Sequence, residues 1–208
     1  MILEVIEANV MGVNTYIVGD EETKEVALID PTGNFDKIKG VVEKMELRPT
    51  CIILTHGHGD HIGAVIPARE HYGCPVIAHE DEKEMLGNAQ LNLSPFLGMG
   101  PIEFEADRYV QQGDEIEIGS LRLKVLHTPG HSKGGICLYA EDVMFTGDTL
   151  FAGSMGRTDL RGGDEREMMD SLRTLKHIKQ EYRVFPGHGP ASLLSKEKLH
   201  NPFMRNLT

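Results

Sequence analysis

Cysteine is scarce in this sequence: Cys51, Cys74 and Cys137 are the whole supply, an odd and scattered set without C-x-x-C spacing. Two of them lie inside apolar runs, so they read as reduced core thiols, which excludes a disulfide framework. Long apolar stretches are missing too, and no run is long enough to span a membrane. The opening Met1-Ile2-Leu3-Glu4-Val5-Ile6-Glu7 has neither the basic start nor the apolar centre of a signal peptide. These absences point to a cytoplasmic protein with no membrane partner. Positive charge is also in short supply, with 21 Lys and Arg against 32 Asp and Glu and a formal net charge of −11. That balance argues against nucleic acid as a partner. There is no Gly-rich phosphate loop, low-complexity tract, linker or strong repeat. A chain of 208 residues with ordinary apolar and charged fractions predicts a single domain over 1–208.

What is present is a β-rich pattern broken by helices. Residues 2–8, 13–19 and 25–30 read as an antiparallel meander. Phe35, Ile38, Val41, Val42 and Met45 recur at helical spacing, and Arg48-Pro49 closes that helix. Strands follow at 51–55 and 75–78, with helices over 62–72 and 80–87. From 88 to 105 apolar residues are scattered among Asn, Ser, Pro and Gly; such a segment is either a functional loop or interface, one wall of a cleft, or a loop packed back on its own core. A hairpin at 115–118 and 121–126, strands at 136–140 and 143–146, a helix over 164–179 and a strand at 183–185 complete the pattern. The end is short and polar. Two similar β/α halves packed sheet against sheet fit this order, an α+β class.

The chemistry concentrates in His56-Gly57-His58-Gly59-Asp60-His61, which follows the apolar run Cys51-Ile52-Ile53-Leu54-Thr55. Four metal-capable side chains in six residues are costly to hold together unless a divalent cation pairs with them. The two glycines allow a tight bend that turns all four into one space. The arrangement recurs, because other apolar strands also end in Gly- or Pro-containing loops that present His131, Asp148 and His188. Five His and two Asp are too many for one open tetrahedral zinc, which takes three protein ligands. Seven suits two metals sharing a carboxylate. His127 is expected to orient a ligand rather than to be one, and His71, His79, His177 and His200 are expected to be solvated.

Thr55-His56-Gly57-His58-Gly59-Asp60-His61, with His131, Asp148 and His188 following in order, resembles the T-H-x-H-x-D-H signature and later ligands of the metallo-β-lactamase superfamily. The resemblance covers nearly the whole chain and implies an αββα sandwich with the site at one edge of two mixed sheets. It assigns His56, His58 and His131 to one metal, Asp60, His61 and His188 to the other, and Asp148 to the bridge. Zinc is the expected metal, with iron or manganese as alternatives. The segments around His131, Asp148 and His188 look most like hydroxyacylglutathione hydrolases (glyoxalase II), of the short bacterial type without a C-terminal helical domain. The Tyr that longer members carry after the last His is replaced here by Gly189 and Pro190. The implied activity is hydrolysis of a small thioester such as S-lactoylglutathione by a hydroxide held between the metals, with Asp60 orienting it and Arg157 anchoring an anionic substrate group. Gly156-Arg157-Thr158-Asp159 also resembles the persulfide dioxygenases of the superfamily, which use one iron and glutathione persulfide.

Overall fold

Alternation along the strands decides the layers. In β2 (Asn14–Gly19), Tyr16 and Val18 face one way and Ile17 the other, yet all three are buried. A strand apolar on both faces has to sit between two layers. The computed structural model, which describes residues 1–7 and 11–207, puts it there. Ala8, expected to end the first strand, lies outside the described residues.

The first sheet runs β1 (Ile2–Glu7), β2, β3 (Glu25–Ile29), β4 (Arg48–Ile53), β5 (Val76–His79) and β6 (Arg108–Val110). Its first three strands are antiparallel and the rest parallel. The second sheet contains β7 (Glu115–Ile118), β8 (Leu121–His127), β9 (Ile136–Ala140), β10 (Val143–Gly147), β13 (Arg183–Pro186) and β14 (Ser192–Leu193), ordered β14-β13-β10-β9-β8-β7. Between β10 and β13 lie the small hairpin β11 (Leu150–Phe151) and β12 (Ser154–Met155). The inner faces meet through Tyr16, Val18, Ile29 and Ile53 against Val125, Leu138, Val143 and Phe145.

Helices cover both outer faces. In α1 (Phe35–Lys44), Asn34 caps the first turn through the Asp36 N–H, and Ile38 and Val42 pack on the first sheet. Val65 and Ala68 of α3 (Val65–Tyr72) join them. On the other side Asp164 caps α6 (Glu165–His177), which turns Met168, Leu172 and Leu175 onto Cys137, Met144 and Val184. This is the expected αββα arrangement.

Several boundaries differ from the sequence reading. The strand expected at 51–55 starts at Arg48 and includes Pro49. It pairs with β5 only at Ile52 and Ile53, so the N–H that proline lacks has no partner to lose. The helix expected over 62–72 is broken into α2 (Gly59–Ile62) and α3, and that over 80–87 begins as a 3-10 turn before α4 (Lys83–Leu86). The 88–105 segment holds α5 (Ala89–Asn92) and a 3-10 turn at Ser94–Leu97. The polar end forms β14 and α7 (Leu194–His200).

Candidate metal centre

Each predicted ligand lies just past a strand end, and all the strands concerned finish at one edge of the sandwich. His56 and His58 follow β4, while Asp60 and His61 sit on the single helical turn α2. His131 follows β8, Asp148 follows β10 and His188 follows β13. The last of these loops is tied across to the first sheet. Asn14 donates its amide to the Pro186 and Gly189 carbonyls (3.0 and 2.9 Å), and its backbone N–H donates to Gly187 O (2.8 Å).

The seven side chains converge as two triads. Donor atoms of His56, His58 and His131 lie within 4.8 Å of one another, as do those of Asp60, His61 and His188. Asp148 stands between them. Its Oδ1 is 3.3 Å from His61 Nε2, and its Oδ2 is 3.4 Å from both His131 Nε2 and His188 Nε2.

The outer nitrogens of the rings are already engaged, which fixes the inner ones. His61 Nδ1 donates to Asp30 Oδ2 (3.0 Å), His131 Nδ1 to the Arg157 carbonyl (2.8 Å) and His188 Nδ1 to the Met11 carbonyl (3.0 Å). The Thr55 hydroxyl donates to Asp30 Oδ2 (2.6 Å) and so accepts from His56 Nδ1 (3.2 Å). In each of these four residues Nε2 is the ring nitrogen left pointing inward, toward the space between the triads. His58 turns Nδ1 inward instead, 2.9 Å from His131 Nε2.

The donor set fits divalent cations. His56 Nε2 is buried with no hydrogen-bond partner, an arrangement that costs stability unless something electrophilic meets it. Burial, then His61 and His131, hold the His56 imidazole well below its usual range, and burial with His131 beside it takes His58 down to about 3. Both rings are therefore neutral at physiological pH, the form in which an imidazole can bind a cation. Burial would raise the Asp148 carboxyl, but the adjacent His61 and His188 rings outweigh it and hold the group well below the carboxylate range. The result is an ionised carboxylate facing ring nitrogens of both triads.

Gly57 and Gly59 act differently from expectation. Neither has a left-handed backbone. Each is needed for room, because a Cβ at Gly57 would come 2.8 Å from Glu82 Oε2 and one at Gly59 would come 2.7 Å from Ser94 Cα.

Two other expectations are corrected. His127 orients none of the seven. Its Nε2 donates to the Lys133 carbonyl (2.8 Å), and its ring stacks on His79 at 4.0 Å. His79 is buried rather than solvated because it ends β5, an inner strand between β4 and β6, and stacks on His127, whereas His71, His177 and His200 are exposed as expected. Arg157 lines the cleft as well; its guanidinium pairs with Asp159 through two contacts of 2.7 Å, and its carbonyl accepts from His131 Nδ1.

Two functional residues escaped the sequence reading. Asp30, at the end of β3, accepts Thr55 N–H (2.7 Å), Thr55 Oγ1 and His61 Nδ1, so one carboxylate sets the tautomers of two ligands. Its φ of +49° is a left-handed conformation that Asp tolerates better than most residues. Glu82, 1 % exposed, accepts from Gly57 N–H (2.7 Å) and Gly134 N–H (2.8 Å), clamping the loop of His56 and His58 to the segment after His131. In the sequence the only signal for Asp30 was an acid just past a strand end. Glu82 had none.

A cleft of about 400 Å³ opens over His58, Asp60, His131, Asp148 and His188. One wall is Leu93 and Leu97, from the 88–105 segment as expected. The other includes Phe151, Met155 and Leu160.

Residues 8–188 match the Metallo-beta-lactamase superfamily. Among curated relatives, the probable metallo-hydrolase YqgX of Bacillus subtilis is 36% identical over 197 residues, 93% of this chain and 92% of that one. Hydroxyacylglutathione hydrolase GloC of Haemophilus influenzae is 31% identical over 211 residues, 99% of each chain. Among solved structures, the BLEG-1 B3 metallo-beta-lactamase superposes with a TM-score of 0.91 at 36% identity, covering 98% of this chain and 99% of that one. TTHA1623 in a di-iron-bound form gives 0.86 at 33%, covering 96% and 99%. ETHE1 from Myxococcus xanthus gives 0.79 at 30%, covering 97% and 84%. A match over residues 8–188, most of the chain, makes the protein a member of the metallo-β-lactamase superfamily.

Proposed function

We propose that the protein is a dinuclear metal-dependent hydrolase that cleaves a small thioester, with S-lactoylglutathione or a similar hydroxyacyl thioester as the substrate class. The observation that carries this reading is the position of Asp148, whose two oxygens face ring nitrogens of both triads within 3.4 Å. That suits a carboxylate shared by two ions better than either triad working alone. His56, His58 and His131 would hold one ion and Asp60, His61 and His188 the other. When bound, such a pair makes water nucleophilic near neutral pH and polarises a carbonyl oxygen.

The chain's own residues do the rest. Asp60, whose Oδ2 is 3.4 Å from His188 Nε2, reaches the cleft floor and is placed to orient the attacking water. The ligands are held in single tautomers, so no proton has to be rearranged as substrate arrives. A thiolate departs without a general acid, because its conjugate acid has a pKa of only about 8–9. Arg157 is the substrate-side cation and would have to exchange its Asp159 partner for a substrate carboxylate. The similarity to GloC supports the thioester reading.

A second reading, a mono-iron dioxygenase acting on glutathione persulfide, is favoured by the likeness to ETHE1 and by Gly156-Arg157-Thr158-Asp159. Elemental analysis of the purified protein, paired with anaerobic assays on S-lactoylglutathione and aerobic assays on glutathione persulfide, separates the two. Two metals per chain and anaerobic turnover are expected. One iron with oxygen consumption would replace the hydrolase reading, and a β-lactam control covers the similarity to BLEG-1.

A further inference from the structure

Leu93 has an unusual backbone for its residue type. It ends α5 with φ +66° and ψ 7°, the left-handed conformation that glycine or asparagine normally supplies at a helix end. A leucine there carries a steric cost, and such costs persist where the surroundings over-determine them and function uses the result. Both conditions hold. On one side Asn92, with no exposed surface, donates to the Ile102 and Met85 carbonyls (2.7 and 3.3 Å) and accepts from Ser94 N–H (2.9 Å). On the other, Ser94 Oγ accepts from Ile102 N–H (3.0 Å). Glycine at this position would make the same turn more easily. What leucine adds is a side chain lining the cleft beside Leu97.

The rest of the cleft is matched to that side chain. Phe151, Met155 and Leu160 line the same cleft, and the Arg157 guanidinium in the lining is held in a two-point pair with Asp159. The wall is pressed against the ligand loop, since Gly59 leaves no room for a Cβ beside Ser94. An apolar group lying in the cleft would therefore sit next to the bond presented to Asp60 and Asp148.

We propose that Leu93 is a specificity-determining residue and that the cleft is a pocket for an apolar group of the substrate, of the size of a short acyl chain. The inference rests on the hydrolase reading for its choice of substrate, but the pocket can be tested without turnover. Calorimetric titration of the metal-loaded protein with acetate, butanoate, hexanoate and octanoate reads the pocket directly. Each buried methylene is expected to tighten Kd by about two- to fourfold until the cleft is filled. In Leu93→Gly the gain per methylene should largely vanish, while acetate binds as in wild type and Tm stays equal or rises, because glycine adopts the turn without strain. Affinities independent of chain length, or a chain-length gain unchanged in Leu93→Gly, would overturn the proposal. So would a variant that loses Tm and acetate binding together, since that would mark Leu93 as structural. Thioesters of the same acids, assayed in parallel, keep the two readings apart. Chain-length-dependent binding without any thioester cleavage would retire the hydrolase and leave the pocket standing.

Discussion

Asp30 Oδ2 lies 3.0 Å from His61 Nδ1, and both side chains are shut off from solvent. The same oxygen takes the Thr55 hydroxyl, which in turn receives His56 Nδ1, so Asp30 acts on one ring in each triad. Asp30→Asn keeps the volume and tolerates the left-handed backbone, but replaces one acceptor oxygen by a donor. Metal affinity should fall by roughly 10- to 100-fold, the usual cost of losing such an orienting partner. Competition with a graded series of chelators measures it, and an unchanged affinity would show that the tautomers are set elsewhere.

Asp148 tests the shared-ligand arrangement. Its removal in Asp148→Ala should abolish hydrolysis and lower metal content, with the circular dichroism of the apo protein unchanged, because the three apolar clusters do not involve it. A fully active Asp148→Ala enzyme is incompatible with a bridging carboxylate.

Metal loading should be pH-dependent. Burial alone would lower the His188 imidazole, but the Asp148 and Asp60 carboxylates beside it prevail and hold it at about 9. The metal-free protein therefore carries a proton there at pH 7, and an incoming ion must expel it. Affinity should climb as pH rises from 6 towards 9. Calorimetry in buffers of different ionisation enthalpy should count at least one proton released per loaded chain at pH 7.

Glu82 provides a stability test. Glu82→Ala leaves the buried Gly57 and Gly134 N–H groups without their acceptor, at about 1–3 kcal/mol each. Burial raises the Glu82 carboxyl more than those donors lower it. With the folded pKa above the unfolded one, its protonated form contributes stability at low pH that is lost as pH rises through the folded pKa. Glu82→Gln cannot ionise, so its deficit in denaturant midpoint relative to wild type should shrink between pH 5 and 7.5. A constant or widening deficit contradicts the burial argument.

Much of this was legible in residue order. The ligands announce themselves because strand-end loops carry them in a tight motif, and alternation such as Glu115-Ile116-Glu117-Ile118 marks a strand with one buried face. What stayed hidden depends on distance through space. Asp30 reads as no more than the end of a strand, because its partners, Thr55 and His61, are brought close only when β3 and β4 pair. Glu82 sits in the charged stretch Glu80-Asp81-Glu82-Lys83-Glu84, where nothing local shows that one acid faces inward. His79 was misread for the same reason. Pro49 reads as a strand breaker, and it is one only where a neighbouring strand needs its N–H.

The seven converging side chains are divided between the sheets, four following a strand of the first and three following strands of the second. During synthesis the four-donor loop leaves the ribosome well before His131, Asp148 and His188 exist as neighbours. On the dinuclear reading, an ion met at that stage would find two donors of one triad and two of the other, with Asp148 missing, and would be held only weakly. Metal content would then record completed assembly, because both triads and Asp148 come together only once β13 lies beside β10.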